Sequence, residues 1–137
     1  DGEMQEGQIW EGLMFSAQHK LDNVVAILDF NKLQSDDFNK NIINIEPLKK
    51  KIHAFNWNVI EINGHSFKEI HNAINKEYKN KKPLFIIAHT IKGKGVSFME
   101  NKPLWHGSVK MNLDQIESSL KELGASQRLL DECVNYE

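Results

Sequence analysis

The sequence predicts an α/β fold, a parallel sheet with helices on both faces. Three observations predict it. Short apolar runs near 24–29, 57–62 and 84–89 have strand length, and stretches of helical periodicity alternate with them. The runs are nearly continuous rather than alternating, as in parallel strands buried on both faces. Polar or glycine-bearing segments separate the elements, so right-handed crossovers can return each strand to the same sheet.

Taken in order, residues 6–20 carry Ile9, Trp10, Leu13, Met14 and Ala17 at spacings of three and four, which predicts a helix with one apolar face. Gly7 and Gly12 lower its intrinsic propensity but would let a backbone come close to a phosphate or another chain. Val24 to Asp29 reads as the first strand and delivers Asn31 just past its carboxyl end. Residues 30–46 are polar and rich in Asn and predict a long loop. Pro47 opens a short helix to about Phe55. Trp57 to Ile62 is the second strand. Ser66 is an N-cap for a helix over 67–79, with Phe67, Ile70, Ala73 and Ile74 expected on one side. Pro83 to Ala88 predicts the third strand, followed by a glycine-punctuated loop from Thr90 to about Val109. Leu113–Leu123 is a helix with Asp114 near its start and Gly124 after its end. The expected division is a domain over 1–124 and a tail or short helix over 125–137.

Composition bounds the functions. The 137 residues fit one domain, with 40% hydrophobic and 26% charged residues, as in ordinary globular proteins. A net charge of −2 gives no electrostatic case for nucleic acid or an anionic membrane. No apolar run reaches membrane-spanning length. The single Cys133 cannot form an internal disulfide, which is compatible with a reducing cytoplasm. The chain starts with Asp in the middle of a motif, so a fragment is expected.

The chemistry gathers in the first thirty-three residues. In open parallel sheets, ligands sit outside the carboxyl ends of the strands. If a strand precedes Asp1, then Asp1 and Asn31 end neighbouring strands on one rim. A carboxylate, an amide oxygen and a nearby main-chain carbonyl form a hard oxygen site, suited to Mg²⁺ shared with a phosphate ligand.

Asp1-Gly2-Glu3-Met4-Gln5-Glu6-Gly7, with Asn31 thirty positions after Asp1, resembles the thiamine diphosphate motif. The Thr90-Ile91-Lys92-Gly93-Lys94-Gly95 and Trp105-His106-Gly107 segments make the chain similar to transketolase, in particular the amino-terminal section of a split, two-subunit transketolase. The resemblance runs from Asp1 to about Gly124 and implies the diphosphate-binding domain of the thiamine diphosphate fold. It implies that Asp1, Asn31 and the Leu33 carbonyl hold Mg²⁺ (or Ca²⁺), and that Gly2 lets its backbone pass close to thiamine diphosphate. It further implies that His106 contacts the diphosphate and helps proton transfer around substrate oxygens. The implied reaction moves a two-carbon ketol unit between sugar phosphates, with the cofactor as electron sink. The implied partner is a pyrimidine-binding transketolase subunit or domain carrying the activating glutamate, within a dimer or heterotetramer.

Several residues admit two readings. Glu6 is either a helix-start acid favoured by the macrodipole or part of an acidic network near a subunit interface. Glu11 reads as structural or interfacial. Lys92–Gly95 is either a plain surface loop or a border of the cofactor and substrate phosphate. Trp10 is the interface candidate beside Glu6, while Leu13 belongs to the core. His19, His53, His65, His71 and His89 share no ligand spacing and read as surface or supporting residues. Asp36-Asp37 reads as a solvated pair, and Cys133 lacks a triad context. The alternatives are the E1 component of a 2-oxo acid dehydrogenase, a deoxyxylulose phosphate synthase, or a non-catalytic assembly module that keeps a cofactor-binding surface.

Overall fold

A computed structural model describes residues 1–107 and 109–134. Its elements are α1 (Gly7–Gln18), β1 (Val25–Phe30), α2 (Asn39–Ile42), α3 (Leu48–Ala54), β2 (Asn58–Asn63), α4 (Phe67–Ile74), β3 (Leu84–His89), α5 (Leu113–Glu122) and α6 (Gln127–Val134). One-turn 3₁₀ segments occur at Gly2–Gln5 and Pro103–Trp105. The chain forms two compact units, Asp1–Thr90 and Ile91–Glu137. Among the described residues no helix is long and apolar enough to cross a membrane.

The first unit is built on a parallel sheet of order β1-β3-β2. Phe30 and Asn63 both stand opposite His89, so the three strands end at one rim. β3, in the middle, is buried along nearly its whole length, which explains its unbroken apolar run. Alternate residues serve two cores. Phe85 and Ile87 join Leu28, Phe30, Leu13, Ile52 and Trp57 on one face. Leu84, Ile86 and Ala88 join Ile62 and Ala73 on the other. The Trp57 indole N–H donates to the Leu13 carbonyl at 2.9 Å, so the ring is buried with its polar atom satisfied.

The second core is narrower. Ile70 and Ala73 of α4 reach it, but Phe67 is 91% exposed and Ile74 is 47% exposed, against the expected four-residue face. Phe67 occupies the first turn, and Ile74 the last. The helix also stops at Ile74 rather than Lys79. The Asn75 side chain donates to the His71 carbonyl at 2.8 Å, and Tyr78 turns back against the second core. Val25 and Ile27, the outward residues of β1, are exposed on that side.

The long loop after β1 contains more order than its composition suggests. Leu33 and Phe38 form an isolated antiparallel bridge, and the one-turn α2 follows. In the second unit, α5 packs against α6. Asn112 caps α5 reciprocally with Gln115, and Gly124 takes φ +78° just after the helix. The last three residues of the expected tail, 135–137, lie outside the described residues, as does Ser108 of the glycine-rich loop.

Candidate functional site

In the first unit, the predicted site residues meet at the carboxyl end of β1. The Asp1 nitrogen donates to the Asp29 carbonyl at 3.3 Å, which places Asp1 beside the strand. The Lys32 backbone N–H donates to Asp1 Oδ2. The Leu33 N–H donates to Asn31 Oδ1 at 2.9 Å. Asp1 is therefore tied to the residue between Asn31 and Leu33, although thirty-one positions of sequence separate the two ends of that bond. Lys32 reaches this geometry at φ +67°, a left-handed conformation uncommon for a non-glycine residue.

Gly2 packs against the same loop. A Cβ there would stand 3.0 Å from Gln34 Cβ and 3.2 Å from Gln34 Oε1. A side chain at this position would press on Gln34, which would have to shift by a few tenths of an ångström. Gly7 and Gly12, by contrast, have open space where a Cβ would be.

The side-chain oxygens held here are those of the Asp1 carboxylate and the Asn31 amide. Such an all-oxygen set fits a hard divalent cation. The described residues contain no cluster of three or more His, Cys, Asp or Glu side chains that could hold a metal without an amide or main-chain donor.

His89 stands at the same rim. Its Nε2 is 2.8 Å from Glu61 Oε2, and its ring meets Phe30 edge-on at 5.4 Å. Lys49 completes the cluster at 3.2 Å from Glu61 Oε1. The His89 contact, followed by the Lys49 contact, holds the Glu61 carboxyl below its ordinary range. In the sequence, His89 reads only as a surface or supporting residue. Its place one residue past the third apolar run is the available signal, but the Glu61 partner, twenty-eight positions away, leaves no local trace.

Trp10, the expected interface residue, is partly buried within its own chain. Its indole N–H donates to the Met4 carbonyl at 2.9 Å, and its ring lies 5.6 Å from Phe55. It packs against the core of which Leu13 is a buried member. Met14 and Phe15 are the exposed apolar residues of α1.

In the second unit, Lys92 Nζ lies 3.3 Å from His106 Nδ1, and both side chains are solvent-accessible. The loop between them is shaped by glycines with positive φ, namely Gly93 at +74° and Gly95 at +97°. A Cβ on Gly93 would fall 2.7 Å from Met99 Cβ, so this turn admits glycine alone without rearrangement. The Asn101 N–H closes the loop on the Lys92 carbonyl at 3.0 Å, and Phe98 packs on Trp105 at 5.2 Å. The Ser97 N–H and hydroxyl both donate to Glu122 of α5.

A parallel sheet whose carboxyl rim brings an acid, an amide and a closely packed glycine together defines an α/β domain of the class that binds phosphate-bearing cofactors. The chain belongs to the transketolase family: residues 1–130 match the family described as "Transketolase, thiamine diphosphate binding domain". It is 41% identical over 124 residues to one subunit of the apulose-4-phosphate transketolase of Phocaeicola vulgatus, covering 90% of this chain and 44% of that protein. It is 40% identical over 107 residues to human transketolase, covering 78% of this chain and 17% of that protein. The fold matches a crystal structure of Campylobacter jejuni transketolase with a TM-score of 0.83 at 32% identity, over 92% of this chain and 20% of that one. The chain thus spans less than half the length of these relatives.

Proposed function

We propose that this chain is the diphosphate-binding part of a transketolase that transfers a two-carbon ketol unit between sugar phosphates. The observation that carries this reading is the tie between Asp1 and the Asn31–Leu33 segment at the carboxyl end of β1. The Asp1 carboxylate, the Asn31 side-chain oxygen and the Leu33 carbonyl would hold Mg²⁺, or Ca²⁺ in its place, against the diphosphate of thiamine diphosphate. Thiamine diphosphate supplies an electron sink for the carbon that loses its bond. His106 is the proton-carrying side chain of this part of the enzyme. Lys92, donating to Nδ1, would leave Nε2 as the protonated ring nitrogen.

The pyrimidine end of the cofactor and the glutamate that activates it are assigned to a second subunit or domain. Relatives whose names make them one subunit of a transketolase support a divided enzyme. The full-length parent is to be assayed with thiamine diphosphate, Mg²⁺ and sugar phosphates, with and without its partner. Ketol transfer is expected only with both present. Full turnover by the parent alone, with no partner co-purified, would overturn this assignment.

A further inference from the structure

The rim cluster of Lys49, Glu61 and His89 plays no part in the proposed ketol transfer. Lys49 comes from α3, Glu61 from β2 and His89 from the end of β3, so three elements meet in it. Exposed ion pairs of this kind contribute little to stability. What the cluster does fix is an orientation. Glu61 Oε2 lies 2.8 Å from His89 Nε2 while Oε1 lies 3.2 Å from Lys49 Nζ, so the carboxylate is held at both oxygens and holds the imidazole in turn.

The oriented ring meets β1. His89 stands opposite Phe30 in the register of the sheet, and the two rings lie 5.4 Å apart with their planes inclined by 67°. Edge-to-face contact is a preferred arrangement of aromatic rings, so it constrains direction as well as distance. Phe30 is 4% exposed and is the last residue of β1, immediately before Asn31. Its ring has a second polar neighbour. Lys32 Nζ lies 5.7 Å from the ring centroid, within reach of a cation–π attraction.

Lys32 is the residue that needs such support. Its backbone sits at φ +67°, and a non-glycine residue keeps a conformation of that kind only where its surroundings over-determine it. Lys32 is exposed, so burial does not hold it. Its N–H is held by Asp1 Oδ2, and its carbonyl accepts from the Asn39 N–H at 2.9 Å. Its side chain has the Phe30 ring. Lys49, Glu61, His89, Phe30 and Lys32 thus make one run of contacts from α3 to the Asp1 carboxylate, all of it within the first unit.

We propose that His89 is a positioning residue for the metal loop. Oriented by Glu61, its ring fixes that of Phe30, and Phe30 keeps Lys32 in the conformation that offers its N–H to Asp1. A site whose neighbours are already locked has less to order when its ligand arrives, and binds more tightly for it. The effect on cofactor binding rests on the reading of Asp1, Asn31 and Leu33 as metal ligands, whereas the positioning of Lys32 does not.

The test uses the full-length parent assembled with its partner, first without thiamine diphosphate or Mg²⁺, and reads hydrogen exchange at the Lys32 amide. The His89 side chain is 43% exposed, so replacing it leaves the core intact. His89→Leu is expected to speed exchange at Lys32 about tenfold, with the β3 amides unchanged. His89→Phe keeps a ring against Phe30 and is expected to hold the rate within about threefold of the parent's. Glu61→Leu is expected to speed exchange about threefold by itself and to add nothing to His89→Leu, because it acts through the ring. Calorimetric titration of thiamine diphosphate at fixed Mg²⁺ is then expected to show about tenfold weaker binding in His89→Leu. An unchanged Lys32 amide in His89→Leu overturns the inference, as does equal acceleration in β3, which would make His89 a general support of the sheet. It also falls if His89→Phe behaves as His89→Leu does, or if Glu61→Leu adds its full effect to that variant. A faster Lys32 amide with unaltered cofactor affinity upholds the positioning and counts against the metal-ligand reading alone.

Discussion

The Asp1–Asn31 cluster and the Lys92–His106 loop are positioned by different physics. In the first, residues far apart in sequence are brought together by a buried sheet. Asp1 is tied to Lys32 and Asp29, and the strand beneath them packs into the larger of the two sheet cores. In the second, two side chains fourteen positions apart meet across a loop that closes on itself through positive-φ glycines and one latch to α5. The cluster inherits the stability of the core, whereas the loop depends on a few local turns. Damage to the core should therefore cost the whole fold, and damage to the loop should cost mainly the loop.

The largest effect is expected at Trp57, which is 3% exposed, packs at 6.0 Å on Phe85 and donates to Leu13. Trp57→Ala should lower unfolding free energy by about 3–5 kcal/mol, and it also leaves the Leu13 carbonyl without its side-chain donor. Chemical denaturation measures this. A loss under about 1 kcal/mol would mean that the first unit does not rest on this core.

Gly93→Ala sharpens the other side of the comparison. A side chain there meets Met99 and must adopt φ +74°. A loss of about 1–3 kcal/mol is expected, confined to the loop. Hydrogen exchange should show faster exchange of the Asn101 amide, with β3 amides unchanged. Equal acceleration in β3 would erase the distinction between the two regions.

The smallest effect concerns the rim cluster of Glu61, His89 and Lys49. The Glu61 carboxyl is depressed by His89 first and Lys49 second. A depressed acid contributes stability that is present above its unfolded-state value and lost as pH falls through its folded value. Stability should therefore decline below the ordinary glutamate range, and Glu61→Gln should flatten that decline. Glu61 and its partners are each more than a third exposed, so the contribution is at most about 1 kcal/mol. An unaltered pH profile in the variant would remove Glu61 from the account.

Much of this organisation is legible in the sequence. All three strands lie within one residue of their expected bounds, because buried parallel strands write continuous apolar runs. Asp1 and Asn31 can be paired because strand ends share a rim. Other features rest on contacts that no local pattern records. The outward turn of Phe67 and the early end of α4 each depend on which surface is within reach. The Glu61–His89 pair joins two strands that are not neighbours in sequence. The polar composition of the loop after β1 conceals a bridge and a helical turn.

The central claim is that Asp1 and the segment after β1 hold a metal–diphosphate group. Its most direct test is calorimetric titration of thiamine diphosphate, at fixed Mg²⁺, into the full-length parent assembled with its partner. The titration is then repeated with Asn31→Ala. The expected result is affinity at least about tenfold weaker in the variant, with unchanged melting temperature in the absence of cofactor. Equal affinity in the two proteins would contradict the claim.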